Sequence, residues 1–253
     1  MQNAEFSDTA RERGSLAVII PAYNEERTIR AIADGALKAT PHVIVIDDGS
    51  TDDTLTQLAG LPVRVVRLSR NMGKAAALRR GFKEALALGV DGVVTLDGDG
   101  QHRPEDIASL VSVGATAGDR VVIGSRLHDG AKFPRARLIA NRIANFWISW
   151  AAGHRISDSQ SGFRYYPSSL LRALDLSSLS HGGFVFESEI LIRAAQRGYL
   201  STSVHIPALY DAVAFRASHF RPGRDITRIV LMVAWSLIRR GMYPMGLYRS
   251  LFA

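Results

Sequence analysis

Short runs of β-branched and aliphatic residues alternate with helical patterns through the first half of the chain. Leu16–Ile20 (LAVII) reads as a buried strand, and His42–Ile46 (HVIVI), Val63–Leu68 and Val93–Leu96 as three further strands. Between them, Glu26–Ala39 and Lys74–Leu88 repeat apolar residues at helical spacing, and DDGSTDDT opens a further helix, with Ser50 or Thr51 able to cap it. Strands alternating with helices at this spacing predict a mostly parallel, doubly wound α/β sheet. Past Pro134 the pattern turns helical and irregular, Val204–Leu209 reads as a late strand or loop, and Asp225–Arg240 reads as a helix. In that helix Ile226, Ile229, Val230, Val233 and Leu237 share one face, while Arg221, Arg224, Arg228 and Arg239 form another stripe. This is the pattern of a basic amphipathic helix.

The polar segments begin where the strands end, which is where ligands bind in such sheets. After the fourth strand come Asp97, Gly98, Asp99, Gly100 and Gln101. Two carboxylates two residues apart repel unless a cation lies between them. Mg²⁺ or Mn²⁺ suits such a pair and leaves coordination sites for substrate phosphates, and the glycines let a diphosphate approach the backbone. After the second strand, Asp47 and Asp48 offer acceptors to a base NH or to ribose hydroxyls. Pro21, Tyr23 and Glu25 follow the first strand, with Tyr23 placed to lie against a nucleobase. Lys74 offers a cation beside a helix N-terminus, where phosphate binds, although the surrounding NMGKAA is not a Walker A loop.

The four segments VIIPAYNE, VIDDGSTDDT, NMGKAAALRRG and LDGDGQHRPEDI, in this order over residues 16–107, resemble family 2 glycosyltransferases of the GT-A fold. The resemblance is closest to the dolichol-phosphate mannosyltransferase and polyprenyl-phosphate glycosyltransferase branch. It implies nucleotide contacts from Pro21, Tyr23, Glu25 and Asp48, and metal and diphosphate binding by Asp97, Asp99 and Gln101. Gly98 stands where an alanine is common in that branch. GSR at 124–126 implies that Arg126 faces an acceptor or donor phosphate. Arg137 with Asn141 resembles an acceptor-phosphate pair that more usually ends in Ser, and Arg216 matches an arginine that helps hold phosphate. DSQSGFR at 158–164 resembles a segment near the reacting sugar, and FESE at 186–189 a late acidic helix start.

The implied reaction is a displacement at the anomeric carbon of a UDP- or GDP-linked sugar, with inversion, assisted by Mg²⁺ or Mn²⁺. A phosphate acceptor needs only positioning by Arg126 and Arg137, whereas a hydroxyl acceptor needs a general base, for which Asp158 is the candidate. Two other functions compete: a non-catalytic binder of sugar nucleotides or lipid phosphates, and a nucleotidyltransferase that forms a sugar nucleotide. The latter calls for a Gly-rich loop after the first strand, where this chain has PAYNE. No GxGxxG follows that strand either, which disfavours a NAD-binding protein.

Composition narrows the setting. The 253 residues suit one core, and the absence of cysteine excludes disulfides and thiolate metal sites. Of the net charge of +7, residues 211–253 carry +5, from seven Arg against two Asp, so the body is close to neutral. That argues against nucleic acid as a partner and for a local anionic contact such as phosphate or a membrane surface. The longest apolar run, Ile229–Ile238, is ten residues and includes Ser236, far short of the roughly 20 needed to span a bilayer. The expected organisation is a flexible leader over 1–14, a catalytic domain over 15–215 and a basic arm over 216–253. The expected place is the cytoplasm, peripherally on the inner face of the plasma membrane.

Overall fold

The computed structural model describes residues 15–127, 135–179, 183–207 and 222–252; side chains 135–137, 183–184 and 222–226 lie outside that description. Among the described residues, seven strands form one sheet in the order β3-β2-β1-β4-β6-β5-β7. These are β1 (Leu16–Ala22), β2 (His42–Asp47), β3 (Arg64–Arg67), β4 (Gly92–Thr95), β5 (Val121–Ser125), β6 (Arg164–Pro167) and β7 (Ser201–His205). All neighbours run parallel except β6, which is antiparallel to both β4 and β5. The helices are α1 (Ile29–Leu37), α2 (Thr54–Gln57), α3 (Lys74–Ala87), α4 (Ile107–Thr116), α5 (Arg135–Ala152), α6 (Ser168–Ala173), α7 (Gly183–Gln196), α8 (Pro222–Ile238) and α9 (Pro244–Phe252).

Both faces of β1, β2 and β4 are covered, which explains why these strands read as unbroken apolar runs rather than alternating ones. On β1, Ala17 and Ile19 join a cluster with Leu78 and Phe82 of α3 and Phe186 and Ile190 of α7. Val18 and Ile20 join the opposite cluster with Ile29 and Ala33 of α1 and Leu110 of α4. Pro21 is tolerated inside β1 because β4 pairs only with Leu16–Ile19, so no ladder bond to β4 is lost at Pro21.

Three sequence expectations change. The helix expected over Glu26–Ala39 occupies Ile29–Leu37. Neither Ser50 nor Thr51 caps α2: Ser50 Oγ accepts from Asn24 N at 2.9 Å, and Thr51 N donates to Asn24 Oδ1 at 2.7 Å. These residues tie the β1 and β2 loops together instead. On α8, Ile229, Val233 and Leu237 are buried as expected, but Val230 is exposed. Val230 lies about 100° round the helix from Ile229. It is thus at the edge of the buried stripe, whereas Leu231, Trp235 and Ile238 form the outward apolar face that also carries Arg228 and Arg239. Ile226 and Arg224 belong to the part of α8 whose side chains are not described, and Arg221 lies outside the described residues.

Outside the sheet, α5 is fastened to β7 through His154, whose Nε2 accepts from Ser201 N at 3.0 Å. Burial pushes this imidazole below its usual pKa of 6.5. A depressed histidine is neutral in the folded state, while the unfolded chain takes up the proton first. Its cost therefore grows as the pH falls below about 6.5. His154→Gln is expected to flatten the wild-type loss of stability between pH 7 and 5, as read from urea unfolding across that range.

Candidate active site

The chain runs outward from β1 through β2 to β3 and then returns to β4 beside β1. The carboxyl ends of β1, β2 and β4 therefore open one crevice at the point where the order reverses. The antiparallel β6 brings a late segment into it: Thr95 pairs with Arg164, and Thr95 Oγ1 donates to Gly162 O at 2.7 Å. The motifs after β1, β2 and β4 thus meet the DSQSGFR segment of the second half.

Lys74 is the electrostatic centre. Its Nζ lies 2.7 Å from Asp97 Oδ1 and 3.2 Å from Glu187 Oε2. Burial works against its charge, yet the two carboxylates hold it above the ordinary lysine range. Asp97 is half-buried, and partial desolvation would raise its carboxyl, but Lys74 and then Arg126 hold it below the usual carboxylate range. Asp99 and Glu187 move the other way, Asp99 through burial and then repulsion from Asp97, Glu187 chiefly through burial. Lys74 pairs with Asp97 and Glu187, while among the described residues Asp99 has no ion-pair partner.

That imbalance fits a divalent cation. A hard ion beside Asp97 and Asp99 would remove the repulsion that raises Asp99. Among the described residues no group of three or more His, Cys, Asp or Glu side chains is arranged to hold a metal. Further positions would fall to Gln101 and to substrate oxygens. Gln101 Oε1 is here accepting from Arg126 Nη1 at 3.1 Å. His102 is buried against the Phe163 ring, and burial followed by Arg126 pushes its pKa down to about 3, so it adds no positive charge.

Asp47 and Asp48 are occupied by the loops around them. Asp47 is fully buried; its Oδ1 accepts from Ser50 N at 3.0 Å, and Arg67 Nε stands 3.3 Å from Oδ2. Asp48 accepts from Met72 N at 2.7 Å and Gly73 N at 2.8 Å, which fixes the turn that delivers Lys74. Pro21 is buried, while Tyr23 and Glu25 are half-buried at the crevice. Glu25 Cγ would lie 3.5 Å from a Cβ added at Gly98.

On the other side, Asp158 is buried and its Oδ2 accepts from Arg126 N at 3.2 Å. Burial raises its carboxyl despite Arg126. Asn141 is half-buried on α5. Arg137 lies on α5 with its side chain outside the description, and Arg216 lies outside the described residues. Arg164, which the sequence placed only in a segment near the reacting sugar, is buried and donates to Ser161 O at 2.7 Å, Ser159 O at 2.8 Å and Glu187 O at 2.7 Å. The sequence reading left Glu187 an ordinary helix terminus as readily as a site residue; here Glu187 pairs with Lys74. Glu189 instead approaches Arg193 of its own helix at 3.4 Å.

Residues 17–180 match the family model described as Glycosyl transferase family 2. The chain is 32% identical over 209 residues to polyprenol monophosphomannose synthase of Mycolicibacterium smegmatis, covering 78% of each protein. It is 30% identical over 232 residues to undecaprenyl-phosphate mannosyltransferase of Micrococcus luteus, covering 88% of this chain and 94% of that one. Among solved structures, glucosyl-3-phosphoglycerate synthase from Mycobacterium tuberculosis, in complex with Mn²⁺, UDP and phosphoglyceric acid, shares the fold. The TM-score is 0.61 at 24% identity, over 92% of this chain and 80% of that one.

Two glycines separate the site from its surroundings. A Cβ at Gly162 would stand 2.7 Å from Lys74 Nζ, 2.8 Å from Asp97 Oδ2 and 3.0 Å from Glu187 Oε1, whereas one at Gly98 meets nothing closer than 3.4 Å. Gly162→Ala is expected to destabilise by about 1–3 kcal/mol through overpacking and to lower nucleotide affinity. Gly98→Ala is expected to leave both within about 0.5 kcal/mol of wild type. Urea unfolding and UDP or GDP titration of the two variants make the comparison.

Proposed function

Because the chain belongs to glycosyl transferase family 2, we propose that it is an inverting glycosyltransferase. It moves a sugar from a UDP- or GDP-linked donor to a polyprenyl phosphate. The observation that carries this reading is the convergence of Asp97, Asp99, Gln101, Arg126 and Lys74 at the strand-order reversal. The names of the two curated relatives supply the acceptor class.

Tyr23 and Glu25 flank the nucleoside, with Pro21 shaping the β1 exit. Asp47 and Asp48 serve by holding the loops rather than by touching the nucleotide, since Ser50 N, Arg67, Met72 N and Gly73 N already engage them. Asp97, Asp99 and Gln101 would hold Mg²⁺ or Mn²⁺, which neutralises charge on the departing diphosphate. Lys74 adds a second cation to that side. An anionic oxygen of the acceptor phosphate attacks the anomeric carbon. The new C–O bond forms as the bond to the donor diphosphate breaks, and the nucleoside diphosphate leaves with the electron pair. No proton has to move, so Asp158 acts as the support of the Arg126 backbone and not as a base. Arg126, Arg137, Asn141 and Arg216 are assigned to phosphate on the acceptor side.

A lipid acceptor requires a membrane surface. Among the described residues no helix is long and apolar enough to cross a membrane. The outer faces of α5, α8 and α9 nevertheless expose Ile139, Ile143, Trp147, Leu231, Trp235, Tyr248 and Phe252. Arg228, Arg239 and Arg249 stand on the same α8–α9 segment. Each such arginine near an anionic leaflet contributes about 1 kcal/mol, which supports peripheral docking on the cytoplasmic face. On this reading residues 15–215 form the catalytic unit and 216–253 the docking arm, which packs back through Ile229, Val233 and Leu237.

Nucleotide titration with Mn²⁺ or Mg²⁺, repeated in EDTA, tests the donor side. The expected result is tight binding of one of UDP or GDP that EDTA abolishes. Asp99→Asn is expected to lower sugar transfer on the order of 100-fold or more, the scale on which one electrostatic stabiliser contributes. Metal-independent binding, or full transfer by Asp99→Asn, would refute the metal assignment.

A further inference from the structure

Asp97 and Asp99 serve one cation only if the turn between them presents both carboxylates to the crevice, and Gly98 is the middle residue of that turn. Gly98 is buried, so its carbonyl needs a hydrogen-bond donor inside the protein. Thr28 supplies it: Oγ1 donates to Gly98 O at 2.5 Å. The same hydroxyl stands 3.4 Å from Glu25 O, the longer and weaker of the two contacts.

Thr28 is the N-cap residue of α1, and Ile32 N donates to its carbonyl at 3.1 Å. A threonine in that position ordinarily turns its hydroxyl back to accept from the N–H two or three residues on, which stabilises the helix. Thr28 makes no such bond. Its hydroxyl is directed instead at a loop 70 residues further along the chain. A helix start that forgoes its own cap for a distant carbonyl breaks a local rule, and such departures concentrate at functional sites.

The surroundings of Thr28 show what the bond connects. Asn24 N donates to Ser50 Oγ at 2.9 Å, Glu25 N to Thr54 Oγ1 at 2.7 Å and Glu26 N to Asp52 Oδ2 at 3.2 Å. Those bonds fasten the loop that carries Tyr23 and Glu25 to the segment after β2. Thr28 fastens the same loop to the turn after β4. Packing follows the same line, since a Cβ built on Gly98 would lie 3.4 Å from Pro21 O and 3.5 Å from Ile29 Cδ1. Asp97 is meanwhile tied to Lys74, and Asp99 Oδ1 accepts from Gln101 N at 3.0 Å. These contacts orient the two carboxylates one at a time, whereas the Thr28 bond acts on the backbone between them.

We propose that Thr28 is a positioning residue for the cation site. By holding Gly98 O it sets the Asp97–Asp99 turn against the loop that takes the nucleoside, so that cation and nucleotide bind in one register. This rests on the donor-site reading above and extends it to a residue beyond VIIPAYNE, in a stretch that the sequence marks simply as helix.

The Mn²⁺ concentration needed for half-maximal binding of the preferred nucleoside diphosphate tests the role, with free Mn²⁺ followed by electron paramagnetic resonance. Thr28→Val keeps the branched shape and removes the donor. It is expected to raise that concentration about tenfold, the scale on which groups that orient metal ligands act. Thr28→Ser keeps the donor and is expected to stay within about twofold of wild type. Thr40→Val is the control, because Thr40 Oγ1 donates to Leu16 O at 2.6 Å, an equivalent bond at the other end of β1. Its loss is expected to leave the Mn²⁺ requirement at the wild-type value. Thr28→Ala removes the donor with a smaller side chain and replaces Thr28→Val if urea unfolding shows that valine is not accommodated. A wild-type Mn²⁺ requirement in the variant without the donor would overturn the proposal, as would an equal rise in Thr28→Ser or Thr40→Val. A wild-type protein that binds no nucleotide with Mn²⁺ would bring down the donor-site reading and this proposal together.

Discussion

Lys74 has to neutralise carboxyl groups that the fold buries at one point. The parallel half of the sheet brings Asp97 to the end of β4, and α7 brings Glu187 to the same place from the other half. Removing one member of a buried ion pair costs roughly 3–5 kcal/mol, since an uncompensated charge stays behind. Other features serve this contact. Asp48 holds the turn before α3, which sets where Lys74 begins its helix. Arg164 fixes the Ser159–Ser161 carbonyls and the Glu187 carbonyl in one grip. Gly162 leaves the space between them open. Asp99 nonetheless has no ion-pair partner among the described residues, and its repulsion from Asp97 suits a cation arriving with a diphosphate.

Much of the parallel half was legible because strand ends can be read from apolar runs and the motifs follow those ends directly. PAYNE, DDGSTDDT and DGDGQ all fall on the crevice for that reason. What the individual residues do there was less legible. Ser50 and Thr51 look like helix caps locally, but Asn24 on the neighbouring loop competes for them, and the tertiary partners prevail. Asp47 and Asp48 look like free acceptors until their backbone donors are known. Glu187 and Lys74 lie far apart in sequence, so no local pattern announces their pairing. Arg164 sits in an SGFR motif that suggests a substrate contact, yet its donors go to backbone carbonyls.

The antiparallel β6 explains why the irregular second half still contributes to the site. A parallel strand there would enter at the opposite end of the sheet and carry residues 158–162 away from β4. Reversed, it starts at the carboxyl ends, with Arg164 opposite Thr95 and Tyr165 opposite Val122 of β5. The same reversal puts Asp158 under the Arg126 backbone at the end of β5. The donor motifs and the later arginines therefore meet across one strand.

That arrangement divides the chemistry at Arg126. A transfer between two anionic partners must bring a phosphate nucleophile toward a diphosphate leaving group, and their repulsion has to be offset by cations on both sides. Lys74 and the Asp97–Asp99 pair, once it carries a metal, answer for the leaving group. Arg126, reaching Gln101 from the end of β5, stands between the two sides. A body that is close to neutral overall can do this because its positive charges stand where phosphates arrive.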